Sequence, residues 1–218
     1  MGVMLISTHF PHAKKRPPVL EAKGLNGGPG DLLLFQDLNL SLPPGVSALL
    51  GDEGSGKTSL MRLLSGDLIR QSGGLCVLGV MDSSCPPPQG SVFWTDLRLP
   101  LYDEFTPGQC WRALAPQWPG WSEDVQQSWC TALQLTPHLN KRLNMLSTGT
   151  RRKVGLVAAL SSGAAVTLLD QPFVSLDQAS IRALQEKLDN TYRDTGRACL
   201  IADYEEPQHM PLAAIFQL

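Results

Sequence analysis

Apolar residues along this chain follow two spacings, one typical of buried strands and one typical of helices. Residues 46–50 form a short, almost wholly apolar run, which predicts a buried strand. Residues 59–69 instead carry apolar side chains at helical spacing, which predicts a helix that buries Leu60, Leu63, Leu64 and Ile69. The glycine-containing segment between them predicts a turn that joins the strand to the helix.

Strands and helices of the same kind are predicted before and after this unit. Residues 32–42 alternate well, with Leu38, Leu40 and Leu42 on one face of a predicted strand. Further strands are predicted at residues 19–22, 74–79, 91–94, 164–169 and 198–202, the last of which is expected to be the final strand. Helices are predicted at residues 147–160 and 180–188.

Residues 99–145 differ from this pattern because they consist of helical pieces. Thr106 followed by Pro107 is typical of a helix start, and Ser122 followed by two acidic residues is another. We therefore expect an α/β core formed by residues 19–98 and 146–218, with a helical insert at 99–145. Residues 1–18 are expected to form a flexible N-terminal tail.

Composition narrows the function classes. The 218 residues contain 18 lysines and arginines against 20 acidic residues, so there is no basic excess that would indicate nucleic-acid binding. The 5 cysteines are scattered and odd in number, which favours reduced thiols and a cytoplasmic protein. The longest uncharged run, residues 154–169, is shorter than the ~20 residues that span a bilayer. No signal peptide is expected, because the basic residues at 14–16 follow the apolar start.

The segment from Gly51 to Ser59 carries the strongest chemical signal. It fits the pattern G-x-x-x-x-G-K-[ST], a loop whose backbone N–H groups surround phosphate oxygens. The predicted strand before it and helix after it supply the required context. Lys57 is expected to reach the β- and γ-phosphates and Thr58 to bind Mg²⁺. The candidate nucleotide-binding residues of the loop are Gly51, Gly54, Ser55, Gly56, Lys57, Thr58 and Ser59.

A carboxylate in the second half of the chain is placed to share this site. Asp170 follows the predicted buried strand at 164–169, and the carboxyl end of such a strand is where an acidic residue can hold Mg²⁺. Without the loop upstream, an acid that caps the next turn would be the favoured interpretation of Asp170. With the loop present, Thr58 and Asp170 are the candidate metal ligands.

Three further motifs make the assignment of a nucleotide-binding protein more specific. Residues 146–150 read LSTGT, residues 168–172 read LLDQP, and residues 175–177 read SLD. In this order, after the phosphate loop, they resemble the LSGGQ, LLDEP and SLD motifs of the ATP-binding subunit of an ABC transporter. The resemblance covers about residues 19 to 207 and implies an α/β fold. That fold is a P-loop NTPase core (RecA-like, ABC cassette) with a small antiparallel β subdomain and a helical subdomain insert.

The resemblance also implies cofactors and partners. Such subunits bind ATP and Mg²⁺ between two nucleotide-binding subunits arranged head to tail, as a homodimer or a heterodimer. Each ATP contacts the phosphate loop of one chain and the signature helix of the other, here through Ser147 and Gly149. The dimer acts on a transmembrane permease subunit, which the helical insert contacts. The implied location is cytoplasmic, peripheral at the inner face of the membrane.

Several positions depart from the family pattern. Gln171 stands at the position of the catalytic glutamate, and a glutamine can orient water but cannot accept its proton. Asp203 aligns with the switch histidine, so Lys57, Gln171 and Asp203 form the candidate catalytic set. Thr95 or Asp96 replaces the Q-loop glutamine, and residues 25–31 lack the aromatic ring expected to stack on adenine. We therefore expect ATP binding to be retained and hydrolysis to be slow.

Three functional hypotheses follow. The first is a transporter subunit that binds Mg·ATP, hydrolyses it slowly and couples binding to a membrane partner. The second is an inactive ATP-binding switch or scaffold of the same family. The third is a soluble ABC-type protein without a transporter, which is disfavoured because such proteins normally join two cassettes in one chain and this chain has one.

Overall fold

The computed structural model describes residues 7–9, 16–82, 87, 89–96, 99–193 and 195–218. Its centre is a six-stranded sheet in the spatial order β1-β10-β4-β9-β8-β7. These strands are β1 (Ser7–His9), β4 (Gly45–Leu50), β7 (Val92–Phe93), β8 (Val166–Asp170), β9 (Ala198–Asp203) and β10 (Ala214–Gln217). All pairings are parallel except that of β1 with β10. The carboxyl ends of β4, β8 and β9 therefore meet at one edge of the sheet.

A smaller antiparallel sheet packs beside the first. It consists of β2 (Leu20–Gly27), β3 (Phe35–Leu42), β5 (Ser72–Val77) and β6 (Val80–Asp82), in the order β3-β2-β5-β6. Leu38, Leu40 and Leu42 of β3 are buried as predicted, since side chains two apart point to the same face. This sheet corresponds to the small antiparallel β subdomain that the sequence resemblance implied.

The described α-helices, all except the first, begin after a residue whose side chain caps them. They are α1 (Lys57–Ser65), α2 (Pro107–Leu114), α3 (Glu123–Ala132), α4 (Thr148–Ser161) and α5 (Gln178–Tyr192). Thr106 and Gln109 form a capping box at the start of α2, and Ser122 caps α3. Between residues 99 and 145 the regular structure consists of α2, α3 and four short 3₁₀ helices, in agreement with the predicted helical pieces.

The large sheet has an apolar core on each face. On one face, Leu49 and Leu200 join a cluster with α1 and the small sheet. On the other, Ala48 and Ile201 pack with α4, α5 and the helical insert. Coverage of both faces explains why β4 and β9 are mostly apolar instead of alternating between apolar and polar residues. The described cysteines, Cys76, Cys110, Cys130 and Cys199, are buried and free.

Three sequence predictions differ from the structure. Helix α1 ends at Ser65, because Gly66 adopts a left-handed conformation with φ 80°, and Ile69 is 80% exposed instead of buried. The strand at Ala198–Asp203 is not the final one, because β10 follows it and pairs with β4. The predicted tail differs at Ser7–His9, which form β1 along the edge of β10, while residues 1–6 and 10–15 lie outside the described residues. An open strand edge offers backbone hydrogen bonds to a segment of almost any composition.

Candidate functional site

The segment between β4 and α1 has the backbone geometry of an anion-binding loop. Gly54 and Gly56 adopt left-handed conformations, with φ 75° and 95°, that other residues rarely adopt. Gly56 is the N-cap residue of α1 and provides no side chain to cap it. The first N–H groups of α1 are therefore left for another acceptor, and the helix dipole favours an anion there. Ser55 adds a buried hydroxyl that finds no partner among the described residues.

Lys57 is held inside this loop. Its Nζ donates hydrogen bonds to the carbonyl oxygens of Gly51 at 2.6 Å and Asp52 at 2.8 Å. The ring of Tyr204 covers the same ammonium group, with its centroid 4.6 Å from Nζ. Lys57 is only 5% exposed as a result. The ammonium charge of Lys57 is thus held by the carbonyl groups at the start of the loop, and its contact with the β- and γ-phosphates stays a prediction.

Thr58 and Asp170 meet across the edge of the sheet. Thr58 Oγ1 donates to Asp170 Oδ2 at 2.6 Å, although the two residues are distant in sequence. The other carboxylate oxygen, Asp170 Oδ1, is buried and finds no hydrogen-bond partner in the described part of the chain. A carboxylate with an unsatisfied buried oxygen beside a hydroxyl fits Mg²⁺, which binds oxygen ligands and retains several waters. The predicted pair of metal ligands is therefore brought together.

Gln171 lies directly after this carboxylate in a constrained backbone. Its φ is 46°, its N–H donates to Ala202 O at 2.8 Å, and its carbonyl oxygen accepts a hydrogen bond from Arg152 Nη1. The main chain at the position of the family's glutamate is thus held by β9 on one side and α4 on the other. The position is preserved although the acidic group is absent.

Asp203 stands at the end of β9, opposite Leu50 at the end of β4. Burial raises the pKa of its carboxyl above the ordinary value, and the negative charge of Asp170 raises it further. The Tyr204 backbone N–H, which donates to Asp203 Oδ1 at 2.8 Å, and the positive charge of Lys57 oppose this shift. Asp203 therefore shares an electrostatic environment with Lys57 and Asp170, while its role in catalysis stays a prediction.

Ser147 and Gly149 lie at the N-terminus of α4. Ser147 Oγ accepts from Thr150 N at 3.2 Å, so Ser147 is the N-cap residue. Gly149 is packed so closely that a Cβ atom there would lie 2.1 Å from Ser175 O. A glycine at this position is therefore required by the packing of the chain itself. The predicted contact of these two residues with a γ-phosphate stays a prediction.

The aspartate of the SLD motif at residues 175–177 forms structural contacts within this chain. Asp177 caps α5 by accepting from Ser180 N at 2.8 Å, and its Oδ2 lies 2.9 Å from Lys153 Nζ. These interactions, chiefly the hydrogen bond from Lys153, hold the pKa of the Asp177 carboxyl well below its usual range. The segment at 175–177 is thus fixed to α4 through Gly149 and Lys153.

The remaining departures from the family pattern have clear places in the structure. Thr95 and Asp96 line a cavity of about 330 Å³ beside Asp170, together with Arg151 and Arg152. Asn26, in the segment that lacks an aromatic ring, donates to Gly24 O at 2.7 Å and to Ser72 Oγ at 2.9 Å. Asn26 is therefore held by polar contacts within the small sheet.

Sequence reasoning missed two residues of this site. Tyr204 covers Lys57, and Arg152 binds the carbonyl oxygen of Gln171. Arg152 belongs to a basic run directly after the signature motif, and that proximity was a usable signal. Tyr204 carried no signal beyond its position next to Asp203.

Two further properties of the described residues bear on function. They contain no cluster of three or more His, Cys, Asp or Glu side chains that could hold a metal ion, so the Thr58–Asp170 pair is not part of a protein-only metal cage. None of the helices in the described segments combines the length and apolar composition needed to cross a membrane.

Comparison with known proteins agrees with this geometry. The model of the ABC transporter family matches residues 35–174. The taurine import ATP-binding protein TauB of Pseudomonas putida is 30% identical over 182 residues, which cover 83% of this chain and 70% of that protein. TauB of Pseudomonas syringae pv. tomato is 28% identical over 208 residues, which cover 95% of this chain and 74% of that protein.

Solved structures share the fold. A putative ABC transporter ATP-binding protein from Pyrococcus furiosus superposes with a TM-score of 0.70 at 22% identity, covering 91% of this chain and 96% of that chain. A bacterial ABC transporter cassette solved as a dimer has a TM-score of 0.70 at 15% identity, covering 85% and 88% of the two chains. The predicted α/β cassette fold is thereby confirmed. The chain belongs to the ABC transporter family, as one of its ATP-binding subunits.

Proposed function

We propose that this subunit binds Mg·ATP through residues 51–59 and Asp170, and that binding drives a partner in the membrane. The observation that carries the proposal is the contact of Thr58 with Asp170, which leaves Asp170 Oδ1 buried and unsatisfied beside the loop. Lys57 places a positive charge in the same loop, where the β- and γ-phosphates are expected. The taurine import relatives are themselves ATP-binding proteins by name, which supports the proposal.

Thr58 and Asp170 would hold the magnesium ion. When bound, Mg²⁺ neutralises negative charge on the β- and γ-phosphate oxygens. Lys57 adds a second positive charge, and the N–H groups at the start of α1 orient the phosphate chain. These groups bind and position ATP without needing the glutamate that the chain lacks.

Hydrolysis is expected to be slow. Gln171 can hydrogen-bond an attacking water molecule through its amide, but it cannot accept the proton that the water must lose. Loss of general-base function commonly lowers the rate by about 10²–10⁴-fold. The fixed backbone of Gln171 favours retention of water orientation, which some GTPases achieve with a glutamine.

A second copy, or a related subunit, is proposed to complete each site. The N-terminus of α4, with Ser147 as its cap, offers a helix dipole and backbone N–H groups to a γ-phosphate. Within this chain, Ser147 and Gly149 contact Thr150 and Ser175 instead of the phosphate loop. Their use as ligands therefore requires a partner chain in a head-to-tail arrangement.

The membrane partner is proposed to dock on the helical insert. Leu99 and Leu101 begin the insert with 48% and 63% of their surface exposed, and Met145 ends it with 67% exposed. Apolar side chains at the start and end of one segment provide contact area for another protein. Such docking would place this subunit at the inner face of the membrane.

A single-turnover assay with γ-labelled ATP separates slow hydrolysis from the inactive-scaffold alternative, which the import relatives do not favour. The purified protein is mixed in excess with labelled Mg·ATP, and the Lys57→Ala variant is run in parallel. Slow release of label that falls further in the variant supports the proposed subunit. Nucleotide that binds but is never cleaved supports the scaffold instead.

A further inference from the structure

The ring of Tyr204 lies over the ammonium group that ATP is expected to bind. Its centroid is 4.6 Å from Lys57 Nζ, within the range of a cation–π interaction. The tyrosine is 46% exposed, whereas Lys57 is 5% exposed. A partly exposed side chain, that of Tyr204, thus covers the buried positive charge of Lys57 in the phosphate site.

The donors of Lys57 are already mostly used. An ammonium group has three N–H donors, and two of them bind the carbonyl oxygens of Gly51 and Asp52. One N–H donor of Lys57 remains for a phosphate, and the ring of Tyr204 lies against the same positively charged group. A triphosphate and the ring therefore compete for the same cation.

The position of the ring is set by the turn after β9. Asp203 Oδ1 accepts from Tyr204 N at 2.8 Å, which fixes the backbone from which the ring extends. Asp203 in turn is anchored beside β4 by its pairing with Leu50. The residues that follow, Glu205 and Glu206, are exposed, as Tyr204 is.

We propose that Tyr204 is a gate on the phosphate site, whose ring covers Lys57 and must be displaced when a triphosphate binds. The inference rests on the proposed function, because it assumes that Lys57 binds ATP. It assigns to Tyr204 a positioning role that acts through Lys57. Removal of the ring should expose the ammonium group and strengthen Mg·ATP binding by about two- to tenfold, the range expected for a partly exposed cation–π contact.

The test uses Tyr204→Ala, Tyr204→Phe, and Glu205→Ala as a control in the same exposed turn. Lysine accessibility is measured without nucleotide, by reductive methylation and mass spectrometry of the peptide that contains Lys57. The dissociation constant for Mg·ATP is measured by calorimetry on the same preparations. Thermal melting confirms that each variant is folded.

The gate predicts faster methylation of Lys57 and tighter Mg·ATP binding in Tyr204→Ala only. Tyr204→Phe keeps the aromatic face and should behave like the wild type, as should Glu205→Ala. Unchanged methylation, or Mg·ATP affinity that is unchanged or weaker in Tyr204→Ala, overturns the gate. Absence of ATP binding in every protein, the wild type included, instead overturns the proposed function on which the gate rests.

Discussion

Thr58 and Asp170 are 112 positions apart in the chain, yet their side chains meet through a hydrogen bond of 2.6 Å. The contact joins the first turn of α1 to the carboxyl end of β8. It is possible because β4 and β8 both run parallel to β9, which lies between them in the sheet. The loop after β4 and the carboxylate at the end of β8 then lie at the same edge of the sheet.

Replacement of Asp170 by asparagine tests this pair. Asp170→Asn removes the negative charge that attracts Mg²⁺ but keeps a side chain of the same size. We expect Mg·ATP affinity to fall by about tenfold or more, while ATP affinity in the presence of EDTA changes little. Calorimetric titrations with and without Mg²⁺ measure both values. Asp189→Asn, at a surface ion pair on α5, is the matched control, and an equal loss in both variants would contradict the assignment.

Restoration of an acid at position 171 tests the cause of slow turnover. Gln171→Glu supplies the missing proton acceptor on a backbone that the structure already holds in place. We expect phosphate release at saturating Mg·ATP to rise by about 10²-fold. Gln178→Glu, an exposed position on α5, should leave the rate unchanged. No increase in Gln171→Glu would mean that Asp203 and Thr95 disable hydrolysis independently.

Gly149→Ala tests the packing of the signature helix. The added Cβ would lie 2.1 Å from Ser175 O, so the backbone must shift. We expect the free energy of unfolding to fall by about 1–3 kcal/mol, as overpacking usually costs. In Gly108→Ala the nearest atom is Arg112 Nη1 at 3.6 Å, an ordinary contact, so this helix variant should be neutral or slightly more stable. The free energies of unfolding of Gly149→Ala and Gly108→Ala are measured with urea. Equal values for the two variants would contradict the close packing at Gly149.

Asp177→Asn tests the ion pair that holds the SLD motif against α4. The folded-state pKa of this carboxyl lies below its unfolded value of about 3.9, so the pair stabilises the fold above pH ~4 and less as the pH falls. Asparagine can still cap α5, so the loss at pH 7 should be modest, about 1 kcal/mol. Urea unfolding between pH 3 and 7 should show the wild type and the variant converging at the acid end. A difference that is constant with pH would show that Lys153 does not bind the ionised carboxylate.

The sequence predicted those parts of the fold and site that depend on local pattern. The apolar run at 46–50, the glycines of the loop and the cap at Ser147 each signal their structure within a few residues. Asp170 could also be placed, because a carboxylate after a buried strand reaches the same edge as the loop. The parallel pairing of β4 and β8 with β9 then brings Thr58 and Asp170 together, and no further sequence motif is needed to predict this contact.

The parts that could not be predicted depend on contacts distant in sequence. Ser7–His9 become a strand only because β10 leaves an edge open to them. Tyr204 covers Lys57 because β9 ends beside the end of β4, from which the phosphate loop starts, and no local pattern shows this. The close packing of Gly149 against Ser175 likewise joins two segments that are distant in sequence.

Binding of Mg·ATP is the central claim, and calorimetric titration of the wild type with Mg·ATP tests it most directly. We predict saturable heat at or below millimolar nucleotide and a higher melting temperature in its presence, since a ligand that binds only the folded state stabilises it. Lys57→Ala should bind at least tenfold more weakly, because the central positive charge is lost. The absence of both heat and a melting shift in the wild type would contradict the account.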